Sequence, residues 1–163
     1  MNQHVLNTEI EALIQQKDKA KGTYSAADKT YISKYGGAGG QGSKGASGEG
    51  LLYEFFTPDY ICELMWNLAY RYGYEPTGTV LEPSLGTGNF LKWAKDPSKC
   101  YGFEINPVSK RICEILYPEA KIYEGYFETA YLKAPLFTER LKDKLTCLSG
   151  YTFSLVIVNP PYG

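Results

Sequence analysis

The stretch VLEPSLGTGNF, Val80 to Phe90, decides the fold. A short apolar strand, TVLEP, runs into a glycine turn, SLGTG, and a short helix is expected from Asn89 to Ala94. Strand, tight turn and helix in that order are the opening of a βαβ unit. The pattern then repeats. CYGFEI, Cys100 to Ile105, reads as a second strand, and Asn106 and Pro107 are a cap and first residue for a helix carrying Val108, Ile112, Ile115 and Leu116 on one face. AKIYEG gives a third strand, and FSLVIVN, Phe153 to Asn159, a fourth. A further helix is expected near Phe137 to Thr146. Strands alternating with helices imply an α/β fold with a parallel sheet covered on both faces. Right-handed crossovers make that sheet doubly wound.

The chain before Val80 is organised differently. Residues 5–21 read as a helix, capped by Asn7 or Thr8 with Glu11 in capping-box spacing, and Ser25 to about Tyr35 as a second. Together residues 1–35 form an N-terminal helical segment. Residues 36–50, GGAGGQGSKGASGEG, are more than half glycine and read as a linker or a flap. From residue 51 to 163 ordered patterning returns and forms the main domain. Its first helix follows Thr57, an N-cap, and Pro58, a suitable first helical residue. Ile61, Leu64, Met65, Leu68 and Tyr72 share one face, and Gly73 is placed to stop the helix.

Bulk composition excludes several classes of protein. With 163 residues there is material for one substantial core. The formal net charge is −1, so no overall basic field draws the chain to nucleic acid; much of any phosphate attraction must come from elsewhere. The four cysteines, Cys62, Cys100, Cys113 and Cys147, lack CxxC spacing, and His4 is the single histidine, so no metal site is expected. Free thiols and the lack of a signal or membrane-spanning run point to a cytoplasmic protein.

Chemistry concentrates at strand ends. Glu82 closes the first strand, and Gly86 and Gly88 let the backbone turn tightly beside a ligand. Glu104 closes the second strand 22 residues later, where an acid accepts hydrogen bonds from ribose hydroxyls. The turn lacks GxGxxG spacing, and a carboxylate directly before it repels a pyrophosphate. It suits a ligand with a positive centre, which favours S-adenosylmethionine over a dinucleotide. After the fourth strand comes NPPY. Asn159 offers an amide oxygen, Pro160 a carbonyl with no competing N–H, Pro161 a stiff backbone and Tyr162 a flat ring. Two acceptors and a ring fit a planar substrate bearing an NH₂ group, such as adenine. The acceptors hold both amine hydrogens and stabilise positive charge on nitrogen as it attacks a methyl group. Tyr162 stacks on the base, which must leave a duplex by flipping.

Taken together, these stretches resemble the amino-group adenine-specific DNA methyltransferases, which have a Rossmann-like, S-adenosylmethionine-dependent fold. FTPDYICELMW resembles the family's motif X, which implies that Thr57 and Pro58 lie against the methionine part of the cofactor. LEPSLGTGNFL resembles motif I, implying cofactor contacts from Glu82, Pro83, Ser84, Gly86 and Gly88. YGFEINP resembles motif II, making Glu104 the ribose ligand beside Ile105. NPPY resembles motif IV and implies that Asn159, Pro160, Pro161 and Tyr162 are catalytic. Motif III departs from the family: Gly125-Tyr126-Phe127 stands where Gly-Asp-Phe is usual, leaving Phe127 to pack on the cofactor's adenine.

The motif order is gamma-like. Against the family's seven strands the chain supplies four, so the resemblance implies an N-terminal portion truncated after the fourth strand, with DNA contacted mostly through regions outside the chain. An open fourth strand would favour self-association. The Glu-Pro-Ser opening favours DNA adenine. Tyr35 and the glycine-rich stretch after it resemble the lead-in of large methylases, which implies a prokaryotic or phage-like restriction-modification, phage-defence or mobile-element system. NPPY also serves RNA adenine and protein glutamine, and a non-catalytic cofactor-binding module is the reading from another class.

Overall fold

The computed structural model describes residues 2–37, 56–127 and 152–160. The expected helix near 137–146 and most of the glycine-rich segment lie outside these residues, as do Pro161 and Tyr162. The described elements are α1 (Gln3–Lys19), α2 (Ala26–Ile32), α3 (Asp59–Arg71), β1 (Val80–Glu82), β2 (Cys100–Glu104), α4 (Pro107–Leu116), β3 (Lys121–Glu124) and β4 (Leu155–Val156).

All three strand pairings are parallel, and the order across the sheet is β3-β2-β1-β4. The chain builds outward from β1 through β2 to β3, then returns to the other side of β1 for β4. This reversal is the doubly wound, Rossmann-like arrangement, and it opens a crevice between the carboxyl ends of β1 and β4. Register puts Glu82 beside Gly102 and Val80 beside Leu155. Alternation along each strand then separates two layers. Val80 and Cys100 pack with Cys62 and Trp66 of α3 and Cys113 of α4. On the other face Leu81, Tyr101 and Phe103 meet Tyr123, Phe127 and Phe153.

Several elements depart from their expected bounds. β4 is two residues long, although Ser154 and Ile157 extend its bonding to Thr79 and Leu81. The helix expected after the glycine turn is only a 3₁₀ turn, Leu91–Trp93. Asp96 precedes Pro97 and adopts an extended backbone, φ −137° and ψ 92°, which leaves too few residues for an α-helix to propagate.

α3 begins after Pro58, and the Thr57 side chain does not cap it. Its buried face is turned from the expected stripe: Cys62 and Trp66 are inside, whereas Leu64, Leu68 and Tyr72 are exposed. The Trp66 indole N–H donates to the Phe90 carbonyl at 2.7 Å, and that bond sets the rotation. Gly73, at φ 98°, does end the helix.

α1 and α2 form a hairpin packed on α4 through Ile10, Ile14, Ile32, Ile112 and Ile115. Asn2 is the helix cap, in place of Asn7 or Thr8. Asn7 is instead 1% exposed inside α1. Its Nδ2 donates to the Gly36 carbonyl at 2.8 Å, and its Oδ1 accepts from the Gly36 N–H at 3.3 Å. Ser25 caps α2 through a full capping box with Asp28.

An Asn7→Ala substitution removes the side-chain partner of both backbone groups of half-buried Gly36. The expected cost is about 1–3 kcal/mol. Urea unfolding measures it, and a change within error would refute the anchoring role.

Candidate functional site

β1 and β2 end side by side at the crevice. Glu82 and Glu104 project to the same face, because Glu82 pairs with Gly102 and Glu104 lies two residues further on. Their surroundings differ. The Glu104 carboxylate accepts the Gly86 N–H at 2.6 Å and the Asn106 N–H at 2.7 Å. Glu82 is 3% exposed, and its Oε2 has no hydrogen-bond partner among the described residues. Burial pushes its pKa well above the ordinary carboxyl range, and the nearby Glu104 charge adds to the shift.

The glycine turn is held from several sides. Gly86 and Gly88 have φ values of 56° and 81°, a region that side-chain-bearing residues rarely enter. A Cβ on Gly88 would come within 2.9 Å of the Tyr117 ring and 3.0 Å of the Cys113 sulfur. Beneath the turn the Cys113 thiol donates to the Gly86 carbonyl at 3.2 Å. The Phe56 ring lies over Gly86, where an added Cβ would approach it to 2.9 Å. Cys62, Cys100 and Cys113 are buried free thiols. Burial pushes Cys62 and Cys100 up to about 12 and Cys113 well above the ordinary thiol range, so none is a ready nucleophile.

From β4 the chain brings Asn159 to the same crevice. Its main-chain oxygen accepts from the Ser84 hydroxyl at 3.3 Å. Its side-chain Nδ2 donates to the Thr57 hydroxyl at 3.2 Å. Thr57 is buried, and its carbonyl accepts from Asn89 Nδ2 at 2.9 Å. Thus Thr57, Ser84, the glycine turn and Asn159 form one bonded group. Pro83 and Ile105 are half-buried, while Pro58 and Pro160 are exposed. Phe127 meets Phe103 edge-on at 5.7 Å, and Tyr126 points to solvent.

Sequence reading missed Phe56, Asn89 and Cys113 as parts of this group. Asn89 directly follows Gly88, so a side-chain amide next to the turn was the available signal. A cavity of about 430 Å³ lies at the other end of the strands, lined by Tyr72, Tyr74, Gly78 and Ser154 among others. It is remote from both carboxylates. Among the described residues no helix is long and apolar enough to cross a membrane, and no group of three or more acidic, cysteine or histidine residues could hold a metal ion.

The donor set fits a cationic ligand bearing hydroxyl groups. A buried carboxyl with an unpartnered oxygen gains a partner when a positive group arrives, and a charged carboxylate beside it accepts hydroxyl hydrogens.

No family model matches the chain. Over 141 residues, 86% of its length, the chain is 32% identical to Defense against restriction protein B of Escherichia phage P1. That match spans 5% of the phage protein. Among solved structures, a type I restriction-modification system methyltransferase subunit from Streptococcus thermophilus aligns with a TM-score of 0.44 and 21% identity, over 67% of this chain and 24% of that one.

The Glu82 shift makes stability depend on pH. The folded protein keeps a proton that the unfolded chain releases near the ordinary glutamate value of 4.5. The group's contribution is therefore complete below that value and is lost as pH rises through the raised one. A Glu82→Gln variant lacks this loss. Between about pH 5 and about pH 8, the urea midpoint of the parent should fall more than that of the variant. Parallel pH profiles would show that Glu82 does not titrate differently in the two states.

Proposed function

We propose that this chain forms the cofactor-binding and amine-gripping part of an S-adenosylmethionine-dependent methyltransferase acting on adenine in DNA. The observation that carries the reading is the bonding of Asn159 to the glycine turn, through Ser84 and Thr57, beside the two strand-end carboxylates. A cofactor crevice and an amide acceptor for a planar NH₂ group therefore lie next to each other.

In this reading Glu82 pairs with the positive part of the cofactor and Glu104 accepts from its ribose. Thr57, Pro58, Pro83, Ser84, Gly86, Gly88, Ile105 and Phe127 shape the walls. The cofactor's contribution is an electrophilic methyl group on sulfur. The chain's own contribution is at the substrate amine. The Asn159 amide oxygen and the Pro160 carbonyl accept its two hydrogens, which localises the nitrogen lone pair and stabilises charge developing on it. Held side by side, donor and acceptor also gain from proximity. Pro161 and Tyr162 complete the motif, with Tyr162 as the stacking ring for a flipped base.

The name of the phage relative places that protein in defence against restriction. Carried to this chain as part of the proposal, the context is that of restriction-modification or phage defence. With a net charge of −1, the chain supplies little phosphate attraction, so DNA contacts are proposed to draw on basic surface outside these 163 residues.

β4 is the last strand in the sheet order, and Val156 on it is 55% exposed. We propose self-association through this edge. Sedimentation should show oligomers that Val156→Lys disperses; a monomeric parent at high concentration would end that proposal.

Methyl transfer from labelled cofactor to DNA, RNA and protein acceptors tests the main reading. Adenine in DNA should be the preferred acceptor. Asn159→Ala should lower transfer by about 100-fold or more while cofactor affinity stays within about twofold. Preference for RNA or for glutamine would move the substrate assignment. Cofactor binding without transfer to any acceptor would make the chain a binding module.

A further inference from the structure

We propose that Thr57 is a positioning residue that holds the plane of the Asn159 amide; the inference rests on the transfer reading above. The resemblance implies only a cofactor contact for Thr57. Its hydroxyl nevertheless accepts from Asn159 Nδ2 at 3.2 Å, across 102 residues of sequence. Thr57 is 8% exposed, so water competes poorly for this bond.

The bond matters because an asparagine amide turns about a terminal torsion that is broad and roughly two-fold, so packing alone sets its plane loosely. A partner held at one end of the amide restricts that rotation. Since the amide is planar, holding Nδ2 also fixes where Oδ1 lies.

Thr57 can do this because it is itself held. Its carbonyl accepts from Asn89 Nδ2 at 2.9 Å and from the Cys62 thiol at 3.7 Å. Asn89 Oδ1 in turn accepts from the Thr87 hydroxyl at 3.3 Å. Ser84 holds the main-chain oxygen of Asn159 from the other side. A bonded path therefore runs from the glycine turn through Thr57 to the amide, and the turn that shapes the cofactor crevice also orients the amine acceptor.

The test uses two variants and two readouts. Thr57→Val keeps the shape and removes the hydroxyl; Thr57→Ser keeps the hydroxyl. In nitrogen-15-labelled protein the Asn159 side-chain amide is assigned by its loss in Asn159→Ala. Its protons should exchange with water about tenfold faster in Thr57→Val than in the parent, and Thr57→Ser should restore the parent rate. Unchanged exchange in Thr57→Val overturns the inference. In the transfer assay, Thr57→Val should lower kcat by about 10- to 100-fold. Cofactor Kd and the KM for the amine substrate should stay within about twofold, with most of kcat recovered in Thr57→Ser. Cofactor affinity falling in step with kcat would make Thr57 a cofactor ligand and overturn the inference. If the parent protein transfers to no acceptor, the transfer reading fails by itself, and the amide exchange alone decides the Thr57 bond.

Discussion

One carboxylate holds the crevice together. Glu104 ends β2 and accepts two backbone N–H groups, one from Gly86 in the turn after β1 and one from Asn106 at the start of α4. Both donors sit where the chain leaves regular structure, so neither has a ladder partner, and leaving such donors unpaired in a half-buried place is costly. Charge-assisted bonds of this kind are stronger than neutral ones. Asn106 then caps α4 with its own side chain, accepting from the N–H groups of Val108 and Ser109. The turn, the strand end and the helix start are thereby fixed to one point. Cys113 and Tyr117, about two and three turns beyond Asn106, close on Gly86 and Gly88 from below.

The helices before the sheet act through the same point. The α1–α2 hairpin lies on α4 through a band of isoleucines. Its position is reinforced where Arg111 of α4 donates to Asp18 of α1 at 2.6 and 2.9 Å. That pair is partly exposed, so its contribution to stability is small; its geometry nonetheless fixes the angle of the hairpin. Phe56 then reaches the crevice next to Thr57, with Tyr35 of the hairpin tilted against it at 6.5 Å. The N-terminal helices therefore sit directly behind the residue that bonds Asn159.

Local patterns made much of this visible. An apolar run into a glycine turn marked β1, and Asn106-Pro107 marked the start of α4 because cap and first-turn chemistry depend on adjacent residues. The α3 face was misread for a definite reason. Leucine and tyrosine at helical spacing look like a core stripe, but the indole of Trp66 had to satisfy its N–H, and Phe90 offered the acceptor. Propensity gave way to a buried hydrogen bond. Asn7 misled in the same manner: its short polar side chain looked like a cap, and its partner Gly36 lies 29 residues away. Glu82 and Glu104 could be placed at the crevice because each ends its own strand. The bond from Asn159 to Thr57 could not, since it depends on where β4 inserts.

The two carboxyls differ because of the donors around them. Glu104 has backbone N–H groups; Glu82 has burial, a like-charged neighbour and an oxygen with no donor among the described residues. The thiols of Cys62 and Cys113 lie in the same region and are raised chiefly by burial. The floor of the crevice is thus a region where charge is costly, and a cation beside Glu82 would favour its charged form. A ligand with a positive centre relieves that cost directly, whereas an anionic ligand would add to it. In the proposed cofactor role, a preference for a positive ligand would follow from the Glu82 oxygen that has no donor among the described residues, and the tightly held turn beside it would supply the shape.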